Sequence, residues 1–386
     1  MREFILLHYD EICLKGGNRG LFEQKLAANA RKSLGSTVSE LVPMHGRMVA
    51  RLAKGADFEK ARRRLSLLPG IANFSRAISV PLEMGEIRDG ALSLLGGREF
   101  STFRVSTRRA NKRFPLDSHG VDCDLGEFIC GKTGKKVSLE HPGITLHAEI
   151  CDREAFLYTE QHDGIGGLPV GSSAPLVCSL SGGIDSPVSA FMMMKRGCPI
   201  VFAHAHNKSI GATAVKGKLS EIVSRLTEVQ LSSKLYIVPF EKLQKEIIIC
   251  VPAKLRMVAY RRAMMKVMNR VARLERAPGI VTGDSVGQVA SQTLENLNCI
   301  YRASELPVFA PLAGMNKAET TLLARKIGTY EASIVQSPDC CSFMIAQHPE
   351  TRATLAEIEA AEGSIPVQEL AEKAVEESEI LTFEAE

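Results

Sequence analysis

The chain has 386 residues, 45% of them hydrophobic and 24% charged, the composition of a globular protein with two or three domains. No apolar run approaches the roughly 20 residues that span a bilayer, and the apolar stretch after Met1 is too short for a signal peptide, so the expected location is cytoplasmic, with no membrane partner. The net charge of +4 hides an asymmetry: within residues 350–386 eleven Glu stand against Arg352 and Lys373, a net −9, which leaves +13 on the preceding 349 residues. A body this basic predicts a polyanionic partner. The ten Cys are scattered singly apart from the adjacent Cys340 and Cys341. Without C-x-x-C spacing they predict no zinc site, and in a reducing compartment no disulfide framework; most are expected to be small buried hydrophobes.

In chain order, residues 4–7 read as a strand, followed by a Gly-bearing turn that presents Lys15 and Arg19. The next helix carries Phe22, Leu26 and Ala30 on one face and ends at Gly35. Residues 48–52 suit a second strand and 59–68 a second helix, the alternation of a small α+β unit. Pro69 and Gly70 end that helix, and 73–80 read as strand. Residues 103–115 begin as an alternating strand and end as a basic loop, in which Arg104, Arg108, Arg109, Lys112 and Arg113 meet no negative charge. Such a cluster neutralises phosphates without reading sequence. Phe114 is open to two readings, a ring that stacks on a base or a core residue. A helix over 116–132 and an antiparallel strand pair over 144–150 and 154–160 follow. The Gly/Pro-rich stretch 164–171 marks the clearest domain boundary.

Residues 175–180 form a short apolar strand, and a helix over 188–196 stops at Gly197. Between them lies Ser181-Gly182-Gly183-Ile184-Asp185-Ser186-Pro187. The two glycines let a ligand approach the backbone, and the free N–H groups at the helix start make an anion site. Asp185 adds a carboxylate that can hold a magnesium ion beside phosphates. Strands over 199–204, 234–239, 279–282 and 308–310 alternate with helices over 216–225 and 252–275, which predicts a parallel, doubly wound sheet with ligands at the carboxyl ends of its strands. Residues 283–297 also follow a strand, so they lie at the same sheet edge; their glycines, hydroxyls and amides suit a base or ribose pocket.

The turn Ser-Gly-Gly-Ile-Asp-Ser over 181–186 resembles the PP-loop of ATP pyrophosphatases. The run Gly283-Asp284-Ser285-x-Gly287-Gln288-Val289-x-Ser291-Gln292-Thr293-Leu294-x-Asn296 matches a signature of the tRNA 4-thiouridine synthetase family at eleven positions. Four further stretches resemble the same family. They are Tyr9-x-Glu11-Ile12-x-Leu14-Lys15-Gly16 with Asn18 and Arg19, the THUMP-like basic loop, Pro311-Leu312-x-Gly314-x-Asn316-Lys317, and the sulfur-handling segment that ends Pro338-Asp339-Cys340-Cys341. The chain is therefore similar to a tRNA 4-thiouridine synthetase in the form that lacks a rhodanese domain. Without that domain, a thiamine-pathway role is not expected.

The resemblance implies an α/β fold: a doubly wound parallel-sheet PP-loop ATPase domain over 172–350, preceded by α+β ferredoxin-like (1–57) and THUMP (58–165) domains and followed by an acidic tail over 351–386. It implies an enzyme that uses ATP to adenylate the C4 oxygen of the uridine at position eight of tRNA, after which persulfide sulfur displaces AMP. Ser179, Leu180, Ser181, Gly182, Gly183, Asp185, Ser186, His204, Ala205, Arg261, Gly283 and Gln292 would hold ATP, with Mg2+ on Asp185. Asp185, Lys317 and Cys341 would be catalytic; Lys15, Arg19, Arg108, Arg109, Lys112 and Arg113 would contact the tRNA. The implied partners are tRNA, a cysteine desulfurase or another persulfide donor, and a second copy of the chain in a homodimer. One segment departs from the family: Ala205 stands where relatives carry an aromatic, and Lys208 and Ser209 replace a Pro pair. Two rivals are another PP-loop tRNA-modifying enzyme, against which the 283–297 signature speaks, and a tRNA-binding protein with a decayed ATP site, against which Asp185 and Cys341 speak.

Overall fold

The computed structural model describes residues 2–44, 46–207, 212–335 and 346–385, in two compact units, Met1–Gly167 and Leu168–Glu386. The first unit contains β1 (Arg2–His8), a 3-10 segment (Glu11–Asn18), α1 (Arg19–Leu34), β2 (Val38–Met44), β3 (Arg47–Leu52), α2 (Phe58–Leu65), β4 (Asn73–Pro81), α3 (Met84–Leu95), β5 (Thr102–Arg109), α4 (Ser118–Thr133), β6 (Lys136–Val137), β7 (Ile144–Ile150), β8 (Glu154–Tyr158) and β9 (His162–Asp163). Its strands form one nine-stranded sheet in the order β2-β3-β1-β4-β8-β7-β5-β6, with β9 paired to β4. Because strand side chains alternate, Ile5, Leu7, Met48, Ala50 and Phe74 face Leu26, Ala30, Ala61 and Leu65 of α1 and α2. Farther along the sheet Phe103, Val105, Leu146, Ala148 and Leu157 pack on Ile87, Ala91, Val121, Leu125 and Ile129 of α3 and α4. Phe114 belongs to this second core.

The expected division at residue 57 falls too early. Helix α2 buries Ala61 and Leu65 in the first core, and β4 pairs with β1 on one side and β8 on the other, so no break separates the two halves of the sheet. Strand β2 escaped the sequence pattern because Pro43 interrupts it; Pro is tolerated there because β2 is the sheet edge.

On the opposite face Leu6, Val49, Ala77, Phe156 and Tyr158 cluster around a buried carboxylate. Glu149 is 1% exposed; Arg47 ion-pairs with it, Tyr158 donates to it at 2.8 Å, and His8 Nε2 lies 2.9 Å from its Oε1.

The second unit contains β10 (Leu176–Ser179), α5 (Asp185–Met194), β11 (Ile200–His206), α6 (Ala212–Gln230), β12 (Ser232–Pro239), α7 (Glu241–Cys250), α8 (Arg256–Glu275), β13 (Ile280–Val281), α9 (Leu294–Tyr301), β14 (Val308–Phe309), α10 (Lys317–Lys326), α11 (Tyr330–Ile334), α12 (Leu355–Glu362), α13 (Val367–Glu376) and β15 (Glu379–Glu384). The six-stranded sheet runs β14-β13-β10-β11-β12-β15. All neighbours pair in parallel except β12 and β15. The chain order reverses between β10 and β13, and such a switch point opens a crevice beyond the carboxyl ends of its two strands.

Residues 351–386 are no separate tail, which corrects the sequence reading. Ile358, Ile365, Ala371, Ala374 and Val375 share one core with Val258, Ala259, Ala263 and Val267 of α8, and β15 covers the edge of β12. Charge counting conceals this because the segment is amphipathic: its acids pair with the basic body, Glu379 with Lys216 at 2.6 Å, Glu377 with Lys242 at 3.0 Å and Glu362 with Arg262 at 3.0 Å.

Glu149→Ala would leave Arg47 buried without its counter-ion, and should destabilise the first unit by about 3–5 kcal/mol. The double variant Glu149→Leu with Arg47→Met should lose much less. Denaturant unfolding of the full chain measures both.

Candidate active site

Strand β10 delivers Leu180 and Ser181 to the switch point, and α5 begins at Asp185. Two hydroxyls close the turn between them. The Ser181 N–H donates to Ser186 Oγ at 2.9 Å, the two Oγ atoms lie 3.1 Å apart, and the Gly183 N–H donates to Ser181 Oγ at 3.3 Å. Neither Gly182 nor Gly183 adopts the left-handed region, so what glycine supplies here is space beside the backbone. Pro187 stands in the first turn of α5, where a missing N–H leaves no helical bond unmade.

The chain leaving β13 presses against this turn. A Cβ on Gly283 would come within 2.6 Å of Ser186 N and 2.9 Å of its Cα, and Ser189 Oγ donates to Thr282 O at 2.6 Å. Beyond Gly283, Asp284 is 3% exposed and collects donors: Arg261 Nη2 at 2.5 Å, Tyr301 Oη at 2.8 Å and Gln292 Nε2 at 3.1 Å. Burial opposes its ionisation, but Arg261 together with the Tyr301, Thr282 and Gln292 hydrogen bonds outweighs burial and holds the carboxyl below its usual range. Burial and the Asp284 charge push the Tyr301 phenol up. Arg261 also donates to Ser291 O at 3.2 Å. This guanidinium from α8 is thereby fixed at the rim of the crevice.

Between these loops lies a cavity of about 580 Å³ whose lining includes Ser179, Ser181, Asp185, Ser186, Arg261, Gly283 and Gln292. Met257, Val258, Met264 and Met265 of α8 add an apolar wall. A polar, Gly-rich end opposite an apolar wall, at a volume suited to small ligands, fits a molecule with an anionic tail and a flat apolar ring.

Lys317 reaches this site from α10, which Asn316 and Glu319 start with a reciprocal capping box. Its Nζ lies 2.7 Å from Asp185 Oδ1, while Gln288 Nε2 donates to Asp185 Oδ2 at 3.0 Å. The structure thus brings together Asp185, Lys317, Arg261, Gly283 and Gln292. His204 Nδ1 lies 2.8 Å from Leu180 O, and Ala205 is buried; neither is among the described residues that line the cavity. Cys340 and Cys341 lie outside the described residues. Among the described cysteines, Cys178, next to the turn, is fully buried, and burial pushes its thiol up to about 12.

The remaining predicted residues belong to the first unit. Arg108, Lys112 and Arg113 are exposed. Arg109 instead donates to Phe114 O at 3.1 Å and Leu116 O at 2.9 Å, bracing the basic loop. Arg19 is held by Glu23 at 2.7 Å and Tyr9 at 3.2 Å, and the Lys15 ammonium lies 5.1 Å from the Phe22 ring centre.

Sequence reasoning did not assign roles to Asp284, Gln288 and Tyr301. The first two sit within the 283–297 signature and could have been chosen as a buried acid and an amide. Tyr301 carries no local signal, because only the packing of α9 on α8 brings it to Asp284.

The family model described as thiamine biosynthesis protein (ThiI) matches residues 171–367, that of the ThiI ferredoxin-like domain 4–75, and that of the THUMP domain 83–160. A probable tRNA sulfurtransferase of Moorella thermoacetica is 39% identical over 384 residues, 99% of this chain and 98% of that protein. One from Thermus thermophilus is 38% identical, covering 97% and 92%. The crystal structure of a 4-thiouridine synthetase in complex with RNA and bound ATP superposes with a TM-score of 0.91 at 31% identity, over 100% of both chains.

Gly283→Ala should force the two loops apart, since its Cβ meets backbone rather than a movable side chain. Overpacking of this kind typically destabilises by about 1–3 kcal/mol, visible as a lower thermal midpoint for the variant.

Proposed function

The chain belongs to the ThiI family of tRNA sulfurtransferases, and from that premise we propose that it binds ATP at the switch point, adenylates the C4 oxygen of the uridine at position eight of tRNA, and installs sulfur there. The observation that carries this reading is the convergence of the Ser181–Ser186 turn, Asp185 with Lys317, and Arg261 with Asp284 on one crevice. A related 4-thiouridine synthetase has been solved with RNA and bound ATP, which supports both ligands.

In this reading the N–H groups at the start of α5 hold the phosphates, and the Met-lined wall of α8 takes the base. Among the described residues no group of three His, Cys, Asp or Glu could hold a metal alone. A magnesium ion would therefore rest on Asp185 and the ATP phosphates, the usual mode for this ion, and would screen phosphate charge. The uridine O4 attacks the α-phosphorus and the bond to pyrophosphate breaks; Arg261 and Lys317 offset the negative charge that gathers. The terminal sulfur of a persulfide then attacks C4 and AMP leaves. A second thiol reduces the resulting disulfide link and frees 4-thiouridine. Cys341 is the proposed persulfide carrier, charged by a cysteine desulfurase or another persulfide donor. A second copy of the chain and a cytoplasmic setting complete the reading.

Exposed Arg108, Lys112 and Arg113 are the proposed phosphate contacts to tRNA, with Arg109 bracing their loop, and Lys15 and Arg19 a second basic turn.

Single-turnover assays with tRNA, ATP, a desulfurase and cysteine separate the steps. Asp185→Ala should release no AMP yet bind tRNA almost normally. Cys341→Ser should still adenylate but yield no thiolated tRNA. Thiolation at the wild-type rate by Asp185→Ala would rule out this site.

For the basic loop, replacing both Lys112 and Arg113 by Ala should weaken tRNA binding and lower the salt slope by about one unit per lost phosphate contact. A salt titration of tRNA affinity reads this directly; an unchanged slope places the RNA elsewhere.

A further inference from the structure

Helix α6 sets a cation beside the Gly turn that no motif identified. Lys218, in the second turn of α6, lays its side chain across the Gly turn: a Cβ on Gly182 would meet Lys218 Cε at 3.4 Å and Nζ at 3.5 Å. The same ammonium donates to Val335 O at 2.7 Å, just past the end of α11 and ahead of Cys340 in the chain. The ammonium is thereby held beside the turn where phosphate would sit. The other cations of the crevice occupy different places, Lys317 on Asp185 and Arg261 on Asp284.

We propose that Lys218 is a ligand of the pyrophosphate half of ATP and stabilises pyrophosphate as it leaves. This rests on the reading of the turn as an ATP site. The chemistry suits lysine. An ammonium is a compact charge with three N–H donors, so one N–H can reach a phosphate oxygen while the ammonium keeps protein partners such as Val335 O. When uridine O4 bonds to the α-phosphorus, the electron pair of the breaking bond passes to pyrophosphate. Lys218 stays protonated throughout and transfers nothing; it acts by charge alone. AMP lacks the β and γ phosphates, so it should not sense this residue.

That difference provides the test. In the full chain, Lys218→Met keeps the stem and removes the charge, and Lys218→Arg keeps the charge. Calorimetric titration with ATP, inorganic pyrophosphate and AMP should show Lys218→Met binding ATP and pyrophosphate about 10- to 100-fold more weakly, the range of one charge-assisted hydrogen bond. AMP affinity should be unchanged, and Lys218→Arg should recover most of the loss. Equal weakening of ATP and AMP would reduce Lys218 to a structural residue and overturn the proposal, as would unaltered ATP binding by a folded Lys218→Met. Wild-type protein that binds none of the three ligands would instead overturn the ATP reading beneath it, so the two failures are distinguishable.

Discussion

The site depends on one close approach. The chain leaving β13 crosses the first turn of α5 so tightly that position 283 has no room for a Cβ. That contact is possible because β10 and β13 are parallel neighbours at the place where the strand order reverses. Parallel neighbours bring their carboxyl ends to one edge, and the switch point sends their following helices to opposite faces, which leaves the crevice open. Polar groups from distant parts of the sequence gather there: α5 from one loop, Asp284 and Gln292 from the other, Arg261 from α8 and Lys317 from α10.

The two ion pairs of the crevice differ in burial, and that difference suits different tasks. Arg261 and Asp284 have side chains 16% and 4% exposed, and further hydrogen bonds hold the carboxylate, so the guanidinium is held in one place. Lys317 and Asp185 are 50% and 19% exposed. A pair that open to water contributes little to stability and exchanges readily. Breaking this pair would therefore cost the fold little.

Charge also organises the rest of the second unit. The acids of α12, α13 and β15, with Glu377 after α13, meet the bases of α6, α7 and α8, so part of the basic excess of the body is neutralised within the fold. In the first unit Arg47 is likewise consumed internally, by Glu149, whereas Lys112 and Arg113 stand exposed on their loop. A count of Lys and Arg along the chain cannot separate these classes, because ion pairing is decided by neighbours far away in sequence.

The sequence by itself determined the parts whose physics is local. A strand, a Gly turn and a helix start follow one another within residues 175–188, and the 283–297 run follows a strand of its own, so the Gly turn and its partner loop were legible without coordinates. The alternation of strands and helices likewise announced the parallel sheet. Tertiary structure alone decided four things. It folded residues 351–386 onto α8 and β12, because Ile358, Ala371 and Val375 find their apolar partners only in three dimensions. It joined α2 to the first core, where Ala61 and Leu65 cluster with residues of β1 and α1 that lie far away in the chain. It also set Tyr301 beside Asp284, and Lys218 across Gly182. Side chains on separate elements meet only after the sheet has ordered them, so their pairing leaves no period, spacing or turn residue to read.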